Sequence, residues 1–219
     1  MEGKTKMTYQ EAKKIMAENL IGPEEIREIS GKLGVPDPFQ FRKEIPEIPF
    51  KEDFLKKNSR DYLLVLGLPE AADGEALTLN KLRSIFGVDP RQSEPCFYNQ
   101  DWYLKEEFAK DKVLGFEWYL IARRVRDDSR GKSPEDLLVE NSESFPSALL
   151  TAFAFFANYL RKGEILWEND FIWCQDQDHN GDRIYTGRYL DPDKVNKNGF
   201  NIHRHLAIRP CYGLAPQIR

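Results

Sequence analysis

"WCQDQDHNGDRIYTGRYLD", residues 173–191, is the stretch on which the fold turns. Asp176, Asp178, Asn180 and Gly181 stand at the spacings that open a calcium-binding loop. An EF-hand loop takes oxygens from alternate positions and ends on a bidentate glutamate. Counted from Asp176, that last position is Gly187, which has no side-chain oxygen, and the flanks alternate as strands do. A looser calcium cage of Asp176, Asp178 and Asp182 is the alternative, since hard cations accept varied oxygen sets. The hairpin explains more. Asn-Gly is the favoured pair for a tight type I′ turn, where both central residues need positive φ. Asn180-Gly181 then joins "FIWCQDQDH" to "DRIYTGRYL" as antiparallel arms, with Asp176, Asp178 and Asp182 solvating the exposed end.

Downstream, "GFNIHRHLAIRP" (199–210) alternates as a further strand. Phe200, Ile202, Arg204, Leu206 and Ile208 share one face; Asn201, His203, His205, Ala207 and Arg209 share the other. If these two ribbons fold back on each other, Tyr185, Arg188, Tyr189, His203 and His205 line one exposed wall. They are the candidate ligand contacts, because aromatic rings beside polar groups supply stacking surface and directional hydrogen bonds. His203 and His205 are two apart, so a strand projects both to one side. Completed by Asp176, Asp178 or His179, such a pair could hold a transition metal and support a metal-dependent hydrolase.

Upstream the pattern is helical. "FPSALLTAFAFFANYL" (145–160) carries a broad apolar stripe, with Ser147 as a capping hydroxyl and Gly163 as a stop. "LTLNKLRSIFG" (77–87) predicts an amphipathic helix, "WYLKEEFAKD" a short one, and Ser133-Pro134 the start of another. "DYLLVLGLP" (61–69) and "GFEWYLIARRVRDDS" (115–129) read as strands. Strands mixed with helices, without a βαβ rhythm, predict an α+β class with a C-terminal antiparallel sheet. Residues 1–35 predict a helical hairpin, with a Thr8–Glu11 capping box and a Gly22-Pro23 break. Residues 36–60 hold prolines at 36, 38, 46 and 49 among phenylalanines, and predict an extended connector packed on a main domain of 61–219.

The 219 residues are 41% hydrophobic and 31% charged, which suits a packed core under a solvated surface. A formal charge of -4 and no Lys/Arg block argue against nonspecific nucleic-acid binding. The second N-terminal helix, "PEEIREISGKLG", balances acids against bases where a DNA groove reader would want Arg, Lys, Asn or Gln. DNA binding through that hairpin is thus a second alternative. Cys96, Cys174 and Cys211 are odd in number and far apart, as reduced thiols are and disulfide frameworks are not. The first residues lack the apolar core of a signal peptide, and the longest apolar run is short of a bilayer span, so a cytoplasmic location is expected. Neither a GxSxG elbow nor a phosphate-cradling glycine loop is present.

The C-terminal half, from about 100 to 212, resembles the C-type-lectin fold of formylglycine-generating enzymes and of diversity-generating-retroelement variable proteins. The resemblance rests on "FPSALLTAF" opening a helix, "DFIWCQ" as a Trp-bearing strand, the polar hairpin, and "HLAIRPC" as a closing strand with Arg209-Pro210. The family's glycine-rich "RGGS"-type stretch and its catalytic cysteine pair are missing. What the resemblance implies is therefore a binding domain and not the formylglycine-generating activity. The expectation is a non-enzymatic recognition protein for a protein or small-ligand partner, with no cofactor, and calcium or a transition metal as the alternative.

Overall fold

The computed structural model describes residues 7–42, 44–89, 91, 95–141, 145–189, 199–204 and 207–218. Among them the class is α+β: eight helices and two four-stranded sheets, each mixing parallel and antiparallel pairs.

Thr8 caps α1 (Tyr9–Met16), and Glu11 returns the hydrogen bond to the Thr8 backbone as the capping box requires. The chain then passes through a two-residue strand, β1 (Leu20–Ile21), before Gly22-Pro23 opens α2 (Pro23–Leu33). β1 was not visible in the sequence pattern, because two buried residues carry no period. It pairs in parallel with β2 (Tyr62–Leu66), Leu20 facing Leu64 and Ile21 facing Val65. The N-terminal helices are thereby stitched into the same sheet and core as the rest of the chain.

Residues 36–60 are less extended than predicted. Asp37 caps a one-turn helix, α3 (Pro38–Phe41), whose proline occupies the tolerated first position. A two-turn helix, α4 (Glu52–Asn58), follows. Proline discouraged helix interiors but not helix starts. The segment is pinned by Trp118, whose indole N–H donates to the Pro46 carbonyl at 2.7 Å, and by a Met7–Ile48 bridge.

α5 (Leu79–Phe86) and the one-turn α6 (Glu107–Lys110) lead to β3 (Trp118–Ala122), which runs antiparallel to β2. α7 (Pro134–Asn141) starts at Ser133, whose hydroxyl accepts the Asp136 N–H. α8 (Ala148–Lys162) is the central helix. Ser147 accepts the Leu150 N–H at its start, and Gly163 takes the left-handed conformation (φ 69°) at its end. Every residue from Ala148 to Asn158 is buried, because α2, α5 and the second sheet enclose the helix.

The second sheet contains β4 (Phe171–Gln177), β5 (Arg183–Tyr189), β6 (Gly199–His203) and β7 (Tyr212–Gly213), in the order β6-β5-β4-β7. The expected hairpin is β4–β5, and Tyr185 faces His203 across β5–β6. Two details differ from expectation. Only Gly181 has positive φ (87°), and Asp178 and Asp182 close the loop by a backbone bond of 2.9 Å. The turn is thus a three-residue loop with a left-handed glycine rather than type I′. In addition, the strand expected across 199–210 ends at His203. Ala207–Pro210 is exposed and outside any strand, so Ile208 reaches solvent.

After β7 the chain crosses to the first sheet, where β8 (Gln217–Ile218) pairs antiparallel with β3 in the order β1-β2-β3-β8. One short C-terminal segment therefore forms an edge of both sheets.

Candidate functional site

The wall expected beyond the hairpin is divided by the structure. Tyr185 is sealed (0% exposed), ringed by Phe171, Trp173, Tyr212 and His203 at 4.8–5.7 Å between ring centroids. Burial raises its hydroxyl pKa. The Arg188 side chain is buried too, 3.7 Å from Glu168. Both were expected at the surface; alternation placed them on opposite faces, but loops and helices cover both faces of this sheet. Tyr189 does reach solvent (37% exposed) and stacks on Tyr98 at 5.7 Å, with His203 6.4 Å from the same Tyr98 ring. Desolvation depresses the His203 pKa. His205 lies outside the described residues, so the HxH pair cannot be traced as a unit.

Asp176 and Asp178 are not solvated tips. Asp176 (2% exposed) accepts the Ala148 N–H at 2.6 Å and the Lys112 ammonium at 2.9 Å, and so tethers β4 to the first turn of α8. Asp178 accepts the backbone N–H groups of Asn180 and Asp182, each at 2.9 Å, and a guanidinium N–H of Arg204. Burial opposes its charge. Arg204 and the two amides outweigh that and hold the carboxyl below its usual range. Asp182 belongs to the same turn through its backbone. Among the described residues no three His, Cys, Asp or Glu side chains converge as metal ligands. Cys174 is fully enclosed beside Thr186, and burial raises its thiol pKa, as suits an inert core residue.

The concavity with the strongest chemical character lies elsewhere, where the two sheets meet the start of α8. This cleft of about 530 Å³ is walled by Phe50, Val113, Leu149 and Ile218, with Trp118 and Tyr119 of β3 along one side. Gln175 of β4 and Gln217 of β8 supply amides, and Lys112 stands at the rim with its side chain 47% exposed. Such a volume falls within the range of roughly 300–1,000 Å³ typical of ligand pockets, which combine apolar walls with a few placed polar groups.

Gln217 is the informative residue. It is 5% exposed, yet among the described residues its side-chain amide makes no hydrogen bond. Its amide atoms are not among the fully enclosed, unpartnered side-chain polar atoms, so they keep access to the cleft and can bond an incoming group. Among the described residues at the cleft, Lys112 donates to Asp176, and Glu117 accepts the Tyr119 hydroxyl at 2.8 Å. Sequence reasoning had Trp118 and Tyr119 only as members of an aromatic inventory, and missed Gln217 altogether. No sequence signal marks it, since "PQIR" has neither period nor motif.

No protein-family model, curated protein or solved structure matches this chain, so the cleft must be read from its own chemistry.

Proposed function

We propose that the protein is a non-enzymatic recognition protein whose ligand occupies the cleft between the two sheets. The observation that carries this reading is the Gln217 amide, to which no described residue hydrogen-bonds, set among the aromatic and aliphatic walls of the cleft. Aromatic planes offer stacking, and the amide offers N–H donors and a carbonyl acceptor. Chemistry on a bound molecule would call for a nucleophile, an acid–base pair or a metal cage. The Ser147 hydroxyl at the cleft is already engaged in capping α8. In the same proposal the C-terminal half is of the C-type-lectin type. Supporting it are the α8 start at "FPSALLTAF", the Trp173-bearing β4 and the β4–β5 hairpin. The segment expected as its closing strand departs from that pattern.

N-acetylphenylalaninamide and N-acetyltryptophanamide, each an aromatic ring joined to amides, are the test probes. Titrated into isotope-labelled protein, either should shift the resonances of Gln217, Tyr119 and Leu149 together. Val113→Trp places bulk at the rim, where Val113 is already exposed, and should abolish those shifts without lowering thermal stability. Shifts scattered over the surface, or unchanged in the Val113→Trp protein, would refute the reading.

A further inference from the structure

We infer that the ligand class of this cleft is an apolar molecule bearing an uncharged carbonyl group, whose oxygen accepts the Leu149 N–H at the start of α8 beside the Gln217 amide; the inference rests on the recognition reading above. The first N–H groups of an α-helix have no partner inside the helix. In α8, Ala148 donates to Asp176 at 2.6 Å, Leu150 to the Ser147 hydroxyl at 3.0 Å, and Thr151 to the Ser147 carbonyl at 3.0 Å. The Leu149 N–H, among them, donates to no described residue. Leu149 is only 2% exposed, and a main-chain N–H held out of bulk water requires a partner. Ser147 and Leu149 both wall the cleft, so this donor stands at its α8 end. Gln217 lines the same cleft, nearly buried, with a side-chain amide to which no described residue bonds. A main-chain donor and a side-chain amide in one cleft suit an acceptor atom with two lone pairs, which a carbonyl oxygen has.

The charge at this helix end favours an uncharged acceptor. An α-helix carries a partial positive charge at its N-terminus. Asp176 already sets a full negative charge there, held by the Ala148 N–H and by the Lys112 ammonium at 2.9 Å. A ligand carboxylate beside the Leu149 N–H would therefore meet repulsion from Asp176, and Glu117 on the same cleft would add to it. A ketone or amide oxygen accepts the same hydrogen bonds without that cost. The walls set the rest of the ligand. Val113, Leu149 and Trp118 are apolar, so a hydrocarbon or aromatic body follows the carbonyl.

The probes are 3-phenylpropanamide, 3-phenylpropanethioamide and 3-phenylpropanoate, which share one body and differ only in the group at its end. Titrated at neutral pH into isotope-labelled protein, the amide should move the Leu149 backbone amide and the Gln217 side-chain amide together. The thioamide should bind at least about fivefold more weakly, because sulfur is the poorer acceptor. The propanoate should also bind more weakly than the amide. Gln217→Leu should reduce the preference for oxygen over sulfur, and an unchanged preference would count against the proposal. Equal binding of amide and thioamide, or a bound amide that leaves the Leu149 resonance in place, would overturn it even if the Gln217→Leu protein failed to fold. Tighter binding by the propanoate would overturn it too, by giving the helix end to an anion. In each of these cases, cleft shifts with N-acetylphenylalaninamide would leave the recognition reading intact. Silence from every probe would remove both.

Discussion

Glu106 holds His179 at two points: one carboxylate oxygen lies 2.6 Å from Nδ1, and the other accepts the His179 backbone N–H at 3.0 Å. Glu106 caps the approach to α6, whereas His179 sits in the turn between β4 and β5. Arg204, just beyond β6, lies 3.9 Å from Glu106, bonds Asp178, and covers the Trp102 ring at 4.3 Å. One buried carboxylate thus fastens the hairpin tip to a distant loop. Glu106→Ala should destabilise the fold by about 2 kcal/mol, the scale of two hydrogen bonds to a charged acceptor, as read by chemical denaturation. An unchanged midpoint would show that the tip is held by other contacts.

Asp176 and Lys112 form an ion pair whose members differ in burial, and this predicts unequal costs. Asp176→Ala strands the buried Ala148 N–H and should cost about 2–3 kcal/mol. Lys112→Ala removes a half-exposed ammonium that water can replace, at about 1 kcal/mol or less. Paired urea titrations decide this; a larger loss for Lys112→Ala would contradict the assignment of Asp176 as the anchor of α8.

His203 predicts acid sensitivity. Burial against Tyr185 and Tyr98 lowers its pKa below the ordinary value of 6.5, so the unfolded chain binds the proton first as pH falls. Its contribution is complete above the unfolded value, declines as pH drops through that value, and levels off below the folded one. In thermal melts stepped downward from neutral pH, His203→Gln should flatten this part of the profile. Identical slopes in the two proteins would count against a desolvated His203.

Two glycines with positive φ separate backbone strain from steric clash. A Cβ on Gly163 (φ 69°) meets open space, so Gly163→Ala should cost only about 1 kcal/mol for the left-handed backbone. A Cβ on Gly199 (φ 115°) would lie 2.6 Å from the Cys96 carbonyl oxygen and 2.8 Å from the Phe97 carbonyl carbon, both main-chain atoms. Gly199→Ala should cost well over 2 kcal/mol or block folding, because the Phe97–Phe200 bridge would have to open. Comparable stabilities of the two variants would refute the close approach at Gly199.

How much of this was legible depended on length and local rules. Ser147, Thr8 and Ser133 announced helix starts because a hydroxyl that satisfies a free N–H works the same way in any fold. The β4–β5 hairpin was legible from Asn180-Gly181, although the left-handed conformation falls on Gly181 alone. α3 was hidden by prolines that proved to be helix starts. β1, β7 and β8 have two residues each, too few for any period to register.

The sequence by itself determined the α+β class, the central buried helix and the hairpin, because capping, turn chemistry and apolar period act over a few neighbouring residues. Only the tertiary structure decided which polar groups are exposed and which are enclosed. It sealed Tyr185 and Asp176, left Tyr189 at the surface, and brought Gln217 to the floor of a cleft walled by residues from distant segments. Enclosure depends on what packs over a side chain from far along the chain, and no local pattern encodes that.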